Sequence, residues 1–224
     1  MKAFILAAGR GERLKPLTRD IPKPLLQING KSIVEHLFDL FKRYGIKDVV
    51  LGIAYKKEKI KDYFADGSRF GLSIEYAEEN EPQGTGHILK MAERFLDKTF
   101  IVSNGDELKD INLEDMLKQH KLTNALVTIA LTQVKDPSFY GVAKLSGNKI
   151  LEFVEKPLMK NAPSKFINSG LYIMEPEVFR YIPEGFSMLE KAVFPKIAEE
   201  GKLYGYKFKG QWFDTGTLER YENA

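Results

Sequence analysis

Residues 3 to 26 read AFILAAGRGERLKPLTRDIPKPLL, an apolar run that passes into a long glycine- and proline-bearing loop. Ala3 to Ala8 is a continuous apolar run ending in glycines, the pattern of a strand buried on both faces of a parallel sheet. From Gly9 to Pro24 the chain becomes polar and proline-punctuated, and loops of this length inside compact domains tend to carry function. Gly9-Arg10-Gly11 starts like a dinucleotide fingerprint, but Leu14 occupies the third glycine position, so the tight helix start that cradles a dinucleotide is not specified. A Rossmann dehydrogenase is disfavoured. Gly30-Lys31-Ser32 matches the end of a P-loop, yet Leu25 stands where its first glycine belongs, and that reading fails as well. What remains is a glycine loop exposing backbone N–H groups, with Arg13 close by and Lys23 fixed between Pro22 and Pro24. Such a loop is suited to a polyphosphate.

Working outward, Ser32 with Glu35 three residues on forms a capping box. Ile33, Leu37, Leu40, Phe41 and Tyr44 then recur at helical spacing until Gly45. Asp48 to Ala54 predicts a second strand, Lys57 to Phe64 a short helix, Asp66-Gly67 a turn and Leu72 to Ala77 a third strand. A further helix starts near Gly84 and runs through Ile88, Leu89, Ala92 and Phe95 towards a strand over Phe100 to Ser103. This alternation predicts a parallel, helix-covered sheet with right-handed crossovers. The second half predicts strands over Leu126 to Thr132, Gly141 to Leu145, Ile150 to Val154 and Leu171 to Met174, with one clear helical pattern, Met188 to Glu200. That is a mixed sheet with antiparallel pieces. No repeat or linker separates the halves, so one domain over 1–224 with two lobes is expected.

The chain has 224 residues, no cysteine, 43% apolar and 29% charged residues, and 34 basic against 31 acidic side chains, for a net charge of +3. This is the composition of an ordinary globular protein, which argues against disorder. Without cysteine there is no disulfide, thiol nucleophile or thiolate metal site, and a reducing cytoplasm is the expectation. The run Phe4 to Ala8 is too short for a signal-peptide core and no stretch approaches the roughly 18 apolar residues of a spanning helix, so neither secretion nor membrane insertion is expected. The small positive surplus gives no reason to expect nucleic acid as a partner. His36, His87 and His120 fall in predicted helices without a second histidine at metal spacing and read as structural or surface residues.

The segment Leu6 to Leu26, LAAGRGERLKPLTRDIPKPLL, resembles the signature loop of the sugar-1-phosphate nucleotidylyltransferases. Further matches follow in that family's order: Glu81 to Gly86, Asn104-Gly105-Asp106, Tyr140-Gly141-Val142, Glu155-Lys156-Pro157, Asn168 to Tyr172 and Trp212 to Thr217. The resemblance implies a single α/β domain with a mixed, mostly parallel central sheet flanked by helices, a Rossmann-like, GT-A-type nucleotidyltransferase fold. It places a nucleotide lobe at about 1–110 and a sugar-phosphate lobe at about 111–224. The implied reaction joins a nucleoside triphosphate to a sugar 1-phosphate with Mg²⁺, giving a nucleotide sugar and pyrophosphate.

The resemblance also implies roles. Asp106 and Asp214 would be the carboxylate ligands of Mg²⁺; for Asp214 a helix N-cap near Leu218 is the plainer alternative. Arg13 and Lys23 would bind the β- and γ-phosphates. Leu6, Ala8, Gly9, Gly11, Glu79, Gly84 and Thr85 would line the nucleotide, with the Thr85 hydroxyl or nearby backbone on a base edge. Gly141, Glu155, Lys156, Asn168 and Gly170 would line the sugar phosphate, although a neighbouring backbone group would equally satisfy Asn168. Glu79 favours GTP, because a carboxylate accepts two hydrogens from guanine N1 and N2 but meets repelling oxygens on uracil or thymine. Against this, Gly84 to His87 resembles N-acetylglucosamine-1-phosphate uridylyltransferases, and Asp66 to Gly71 with Gly216 to Arg220 resembles muramate-type uridylyltransferases. The mannose- or heptose-1-phosphate guanylyltransferases are the competing likeness, and dTTP stays open.

Glu12 sits where threonine or serine is common in the family and is expected to point outward. Two alternatives stand beside the enzyme: a non-catalytic subunit binding nucleotide sugar, and a cytidylyltransferase acting on a non-sugar phosphate. The motifs leave little chain after Thr217, so a catalytic domain alone is expected, with homo-oligomerisation left open.

Overall fold

The strand Ala3–Leu6 lies inside the sheet, parallel to Asp48–Ile53 on one side and Phe100–Asn104 on the other. The computed structural model describes residues 1–224. In chain order the strands are β1 Ala3–Leu6, β2 Gln27–Ile28, β3 Lys31–Ser32, β4 Asp48–Ile53, β5 Ser73–Glu78, β6 Phe100–Asn104, β7 Glu107–Lys109, β8 Val127–Gln133, β9 Gly141–Ser146, β10 Lys149–Glu155, β11 Phe166–Met174, β12 Leu203–Lys207 and β13 Trp212–Asp214. The helices are α1 Ile33–Arg43, α2 Lys57–Phe64, α3 Thr85–Met91, α4 Leu113–Thr123, α5 Phe194–Glu199 and α6 Leu218–Glu222.

Nine strands make one sheet in the order β5-β4-β1-β6-β11-β8-β12-β10-β9. The first four run parallel; β11 opposes β6 and β8, and β10 opposes β12 and β9. With β12 parallel to β8, only β11 and β10 run against the rest, so the sheet is mixed and mostly parallel, as expected. Alternate side chains of β1 feed opposite cores. Phe4 packs with Ile88, Leu89, Phe100, Tyr172 and Phe194 beneath α3 and α5, while Ile5 packs with Leu37, Phe41, Ile60 and Met116 beneath α1, α2 and α4. Both faces are therefore covered, which is why the strand carries no polar residue. No helix is long and apolar enough to cross a membrane.

Most expected elements are present with boundaries shifted by a residue or two, β11 starts five residues before the expected Leu171, and Ser32 and Glu35 do form the capping box of α1. The helix expected from Gly84 to Phe95 closes as α-helix at Met91 and continues as a short 3-10 turn over Glu93–Phe95. The helix expected over Met188 to Glu200 opens as a π-turn, Leu189–Val193, before α5. Pro195 has no N–H to donate to the preceding turn, which interrupts the α ladder there. Six elements were not foreseen: β2, β3, α4, β7, β12 and β13. In α4 only Leu113, Met116 and His120 are buried, a stripe too sparse to read, and β7 and β13 are three-residue strands that pair only with each other.

Two features position the site. The loop after β1 is pinned by Leu14, fully buried with Leu26, Ile28 and Ile33 in a small apolar cluster of its own. The β7–β13 ribbon sets Asp214 opposite Glu107, beside the turn that follows β6.

Candidate active site

Asp106 leaves the carboxyl edge of β6 through the turn Asn104-Gly105, whose Gly105 N–H bonds the Leu6 carbonyl at 2.9 Å. Two cavities meet there, and both are lined by Asn104 and Asp106. The first, about 260 Å³, is walled by Leu6, Ala7, Ala8, Gly9, Lys23, Pro24, Glu79, Pro82, Gly84, Thr85, Ile88 and Gly105. The second, about 170 Å³, is walled by Arg13, Glu107, Phe139, Tyr140, Gly141, Glu155, Lys156, Asn168, Met188, Glu190, Asp214 and Arg220. The crevice outside the carboxyl ends of parallel strands is where open α/β sheets bind ligands.

Lys23, held in the 3-10 turn Lys23–Leu25, donates to Asp106 Oδ2 at 2.6 Å. Burial pushes the Asp106 carboxyl up, but Lys23 first, then Lys109 and Arg13, outweigh it and hold the group below the ordinary carboxylate range. It is a carboxylate at neutral pH. The Asp106 carbonyl accepts from the Thr215 amide at 3.2 Å and from the Thr215 hydroxyl at 2.7 Å, which brings Asp214 alongside. Asp214 accepts from the Gly216 amide at 2.6 Å, from the Tyr140 hydroxyl at 3.2 Å and from Arg220. Tyr140 is pushed up to about 12 by burial and then by the Asp214 charge, so it stays a neutral donor. Thr217, not Asp214, caps α6 by accepting from the Arg220 amide. Asp214 is thereby free of the plainer role. Glu12 points outward onto Lys15 at 2.5 Å.

The donor set fits a hard divalent cation. Asp106 and Asp214 offer carboxylate oxygens to one cavity, and no cluster of three or more Asp, Glu or His could hold a metal unaided. Mg²⁺ is commonly held by one or two carboxylates, with water and substrate phosphates completing its octahedron.

Several expected contacts are placed differently. The Glu79 side chain is 1% exposed; its carboxylate pairs with His87 Nδ1 and accepts from the Gln83 amide at 3.3 Å. It shapes the nucleotide wall, but its oxygens are turned to the protein and not presented as a guanine-reading edge. The Thr85 hydroxyl is spent on Leu189 N and Glu190 Oε2, which leaves backbone to meet a base. Gly11 adopts a left-handed turn behind the loop, where its carbonyl accepts from Thr18 Oγ1 at 2.9 Å, and it lines neither cavity. Asn168 lines the second cavity with its amide already satisfied by the Tyr172 hydroxyl and the Gly170 N–H, both at 2.9 Å. Gly170, at φ +62, lines neither cavity and sits at the β11 bulge, where a Cβ would collide with the Asn104 side chain. Its role is to let β11 approach Asn104 and Glu107. Gly141, Glu155 and Lys156 line the second cavity, and burial pushes the Glu155 carboxyl up.

The sequence reading missed Glu107, Lys109, Glu190 and Arg220. Glu107 accepts from Asn104 Nδ2 at 2.9 Å and Trp212 Nε1 at 2.8 Å, and Lys109, with a fully buried side chain, ties it at 3.4 Å while donating to the Ser169 and Gly170 carbonyls. Burial lowers the Lys109 pKa and raises that of Glu107. The available signal was the Glu-Leu-Lys alternation directly after Asn-Gly-Asp, which turns both charges inward on a strand.

A basic glycine loop at the carboxyl edge of a mixed α/β sheet, facing two carboxylates across a divided cleft, makes a site suited to phosphate-bearing ligands. The comparisons agree: the chain belongs to the family described as Nucleotidyl transferase, whose model matches residues 2–224. It is 39% identical to the UTP--glucose-1-phosphate uridylyltransferase of Synechocystis sp., covering 100% of this chain and 62% of that protein. It is 38% identical to the mannose-1-phosphate guanylyltransferase catalytic subunit beta of Danio rerio, covering 96% of this chain and 61% of that protein. The chain thus spans about three fifths of the length of these curated relatives. Among solved structures, one from Bacillus anthracis, provisionally assigned as a glucose-1-phosphate thymidylyltransferase and complexed with sucrose, superposes with a TM-score of 0.91 at 26% identity, covering 100% of this chain and 93% of that one.

Proposed function

We propose that the protein transfers a nucleotidyl group from a nucleoside triphosphate to a sugar 1-phosphate. The observation that carries this reading is the junction at Asp106, where a cavity framed by the glycine loop opens onto a second one rich in charged side chains. An oxygen of the sugar 1-phosphate forms a bond to the α-phosphorus, the bond from that phosphorus to the α–β bridging oxygen breaks, and pyrophosphate departs with the electron pair. The nucleophile is already an anion, because a phosphate monoester has a second pKa of about 6, so no general base is required. The protein's task is to align two polyanions and neutralise the leaving group. Lys23, in the nucleotide cavity, supplies fixed positive charge to the triphosphate, and Arg13, which lines the second cavity and not the first, reaches the reacting phosphates from the sugar side of Asp106. Lys156 meets the sugar phosphate, and Glu155 accepts from sugar hydroxyls. Asp106 and Asp214 would hold Mg²⁺, which when bound adds positive charge at the reacting phosphates. Residues to about 110 then serve mainly the nucleotide and the remainder the sugar phosphate, with Arg13 and Glu107 crossing to the second cavity.

The guanylyltransferase relative supports GTP as donor, and the uridylyltransferase relative, one percentage point more identical, supports UTP as the second reading. Pyrophosphate release with Mg²⁺, assayed across five nucleoside triphosphates and a panel of sugar 1-phosphates, tests the proposal. Release that requires both substrates is expected. Binding of nucleotide sugar without release from any pair would point to a regulatory subunit, and release with CTP and phosphocholine alone to a non-sugar cytidylyltransferase.

A further inference from the structure

The segment Ser187 to Glu190 is laced to the opening of α3. The Ser187 N–H donates to the Gln83 carbonyl at 3.0 Å, and the Ser187 carbonyl accepts from the Gly86 amide at 2.9 Å. The Thr85 hydroxyl accepts from the Leu189 amide at 2.9 Å and donates to Glu190 Oε2 at 2.7 Å. The two backbones touch directly, since a Cβ on Gly84, at φ +95, would overlap the Ser187 carbonyl. Gly84 and Thr85 line the nucleotide cavity, whereas Glu190 lines the sugar cavity together with Glu155 and Lys156. One hydroxyl therefore bridges the walls of two different subsites.

Glu190 is 8% exposed; Thr85 is the one side chain that hydrogen-bonds it, its own backbone amide adds a second donor, and burial pushes its carboxyl up. A nearly buried carboxylate with one oxygen served by a neutral hydroxyl is costly unless further donors reach it. In a cavity shaped for a polyhydroxylated ring, the matching donor is a ring hydroxyl, because an ionised carboxylate only accepts. The side chain projects from the π-turn Leu189–Val193, an irregularity that recurs at functional positions in helices.

We propose that Glu190 is a specificity-determining residue for the sugar, accepting a ring hydroxyl on one carboxylate oxygen while Thr85 fixes the other, so that the fit of the sugar is transmitted to the base-facing segment. The inference rests on the transfer reaction proposed above. Thr85 acts as a positioning residue: it touches the sugar only through Glu190. Sugar choice and base choice are then linked through the Thr85–Glu190 hydrogen bond, within a segment already laced to α3.

The test is a set of steady-state rates with monodeoxy hexose 1-phosphates for the wild type, Glu190→Gln, Thr85→Val and Thr85→Ser. The wild type is expected to lose about 10²-fold in kcat/KM with the one deoxy sugar that lacks the read hydroxyl, because the site's polar group is left unpaired. Glu190→Gln is expected to raise KM for the parent sugar about tenfold and to flatten that deoxy penalty to about threefold, an effect confined to one ring position that general loosening would not give. Thr85→Val is expected to raise the sugar KM about fivefold, and Thr85→Ser to recover it by restoring the donor. Undiminished discrimination at every ring position in Glu190→Gln, or a Thr85→Val effect confined to the triphosphate KM, would overturn the proposal. A wild-type protein that turns over no pair of substrates would instead refute the transfer reading, and calorimetry with nucleotide sugar then decides for Glu190: equal affinity in wild type and Glu190→Gln overturns its role.

Discussion

The two cavities that meet at Asp106 are built by different means. The nucleotide side is mostly backbone and apolar surface, Leu6 to Gly9 and Pro82 to Thr85, with Lys23 as its one cationic side chain and Glu79 turned away. The sugar side is made of side-chain charge: Arg13, Lys156 and Arg220 against Glu107, Glu155, Glu190 and Asp214. A base offers a flat face with few polar edges, and a shaped wall with backbone groups suits it. A phosphorylated sugar offers hydroxyls all round, and needs directional acceptors. The contrast implies that substitutions on the first side act through shape and on the second through individual hydrogen bonds.

The junction should give the largest effect. Asp106→Asn is expected to lower turnover about 10³-fold, since it removes a carboxylate shared by both cavities. Its melting temperature should also fall, because Lys23 loses the charge that its nearly buried ammonium faces at 2.6 Å. Next comes Lys23→Met, expected to cost about 10²-fold in kcat with a smaller change in the sugar KM. Lys156→Met should do the reverse and raise the KM for sugar 1-phosphate about tenfold while leaving that for triphosphate within about twofold. Equal shifts in both KM values would erase the distinction between the sides.

A structural test of the same division is Leu14→Ala. Leu14 is fully buried in the cluster that pins the phosphate loop, so the variant is expected to lose about 3 kcal/mol and roughly 10 °C in Tm. The smallest expected effect is a pH dependence on the sugar side. Burial raises the Glu155 carboxyl above its ordinary value of 4.5, so the folded state favours the protonated form. The stability it contributes is present below the unfolded value and is lost as pH rises through the raised folded value. Denaturant midpoints of the wild type should therefore fall more than those of Glu155→Gln between about pH 4 and pH 7. Parallel curves would mean that Glu155 is ionised at no cost.

What was legible in the sequence follows the same division. The nucleotide side comes from a few short stretches: an apolar strand, a glycine loop and prolines place Lys23 and one wall, and the segment Glu79 to Ile88 places the other. Asn104-Gly105-Asp106 was legible for the same reason, as a turn closing a buried strand. The sugar side is assembled from β7, β11, β13 and the π-turn, which are far apart in sequence, and two of these are three-residue strands with no periodicity to read. Asn168 and Gly170 stood out as polar and small residues in an apolar strand, yet the first is satisfied by Tyr172 and the second makes room for Asn104. Glu190 was hidden within a run that reads as an ordinary helix. Glu79 shows the remaining limit: a carboxylate near a base site says nothing of direction until the His87 ring is known to lie against it.

The central claim is that a nucleotide sugar spans both cavities, with its pyrophosphate link at Asp106. The most direct test is the reverse reaction, in which nucleotide sugar, pyrophosphate and Mg²⁺ are supplied and triphosphate is measured. Triphosphate is expected to appear with the wild type, to vanish on chelation of the metal and to fall about 10³-fold in Asp106→Asn. Tight binding of nucleotide sugar by the wild type with no triphosphate formed would contradict the account.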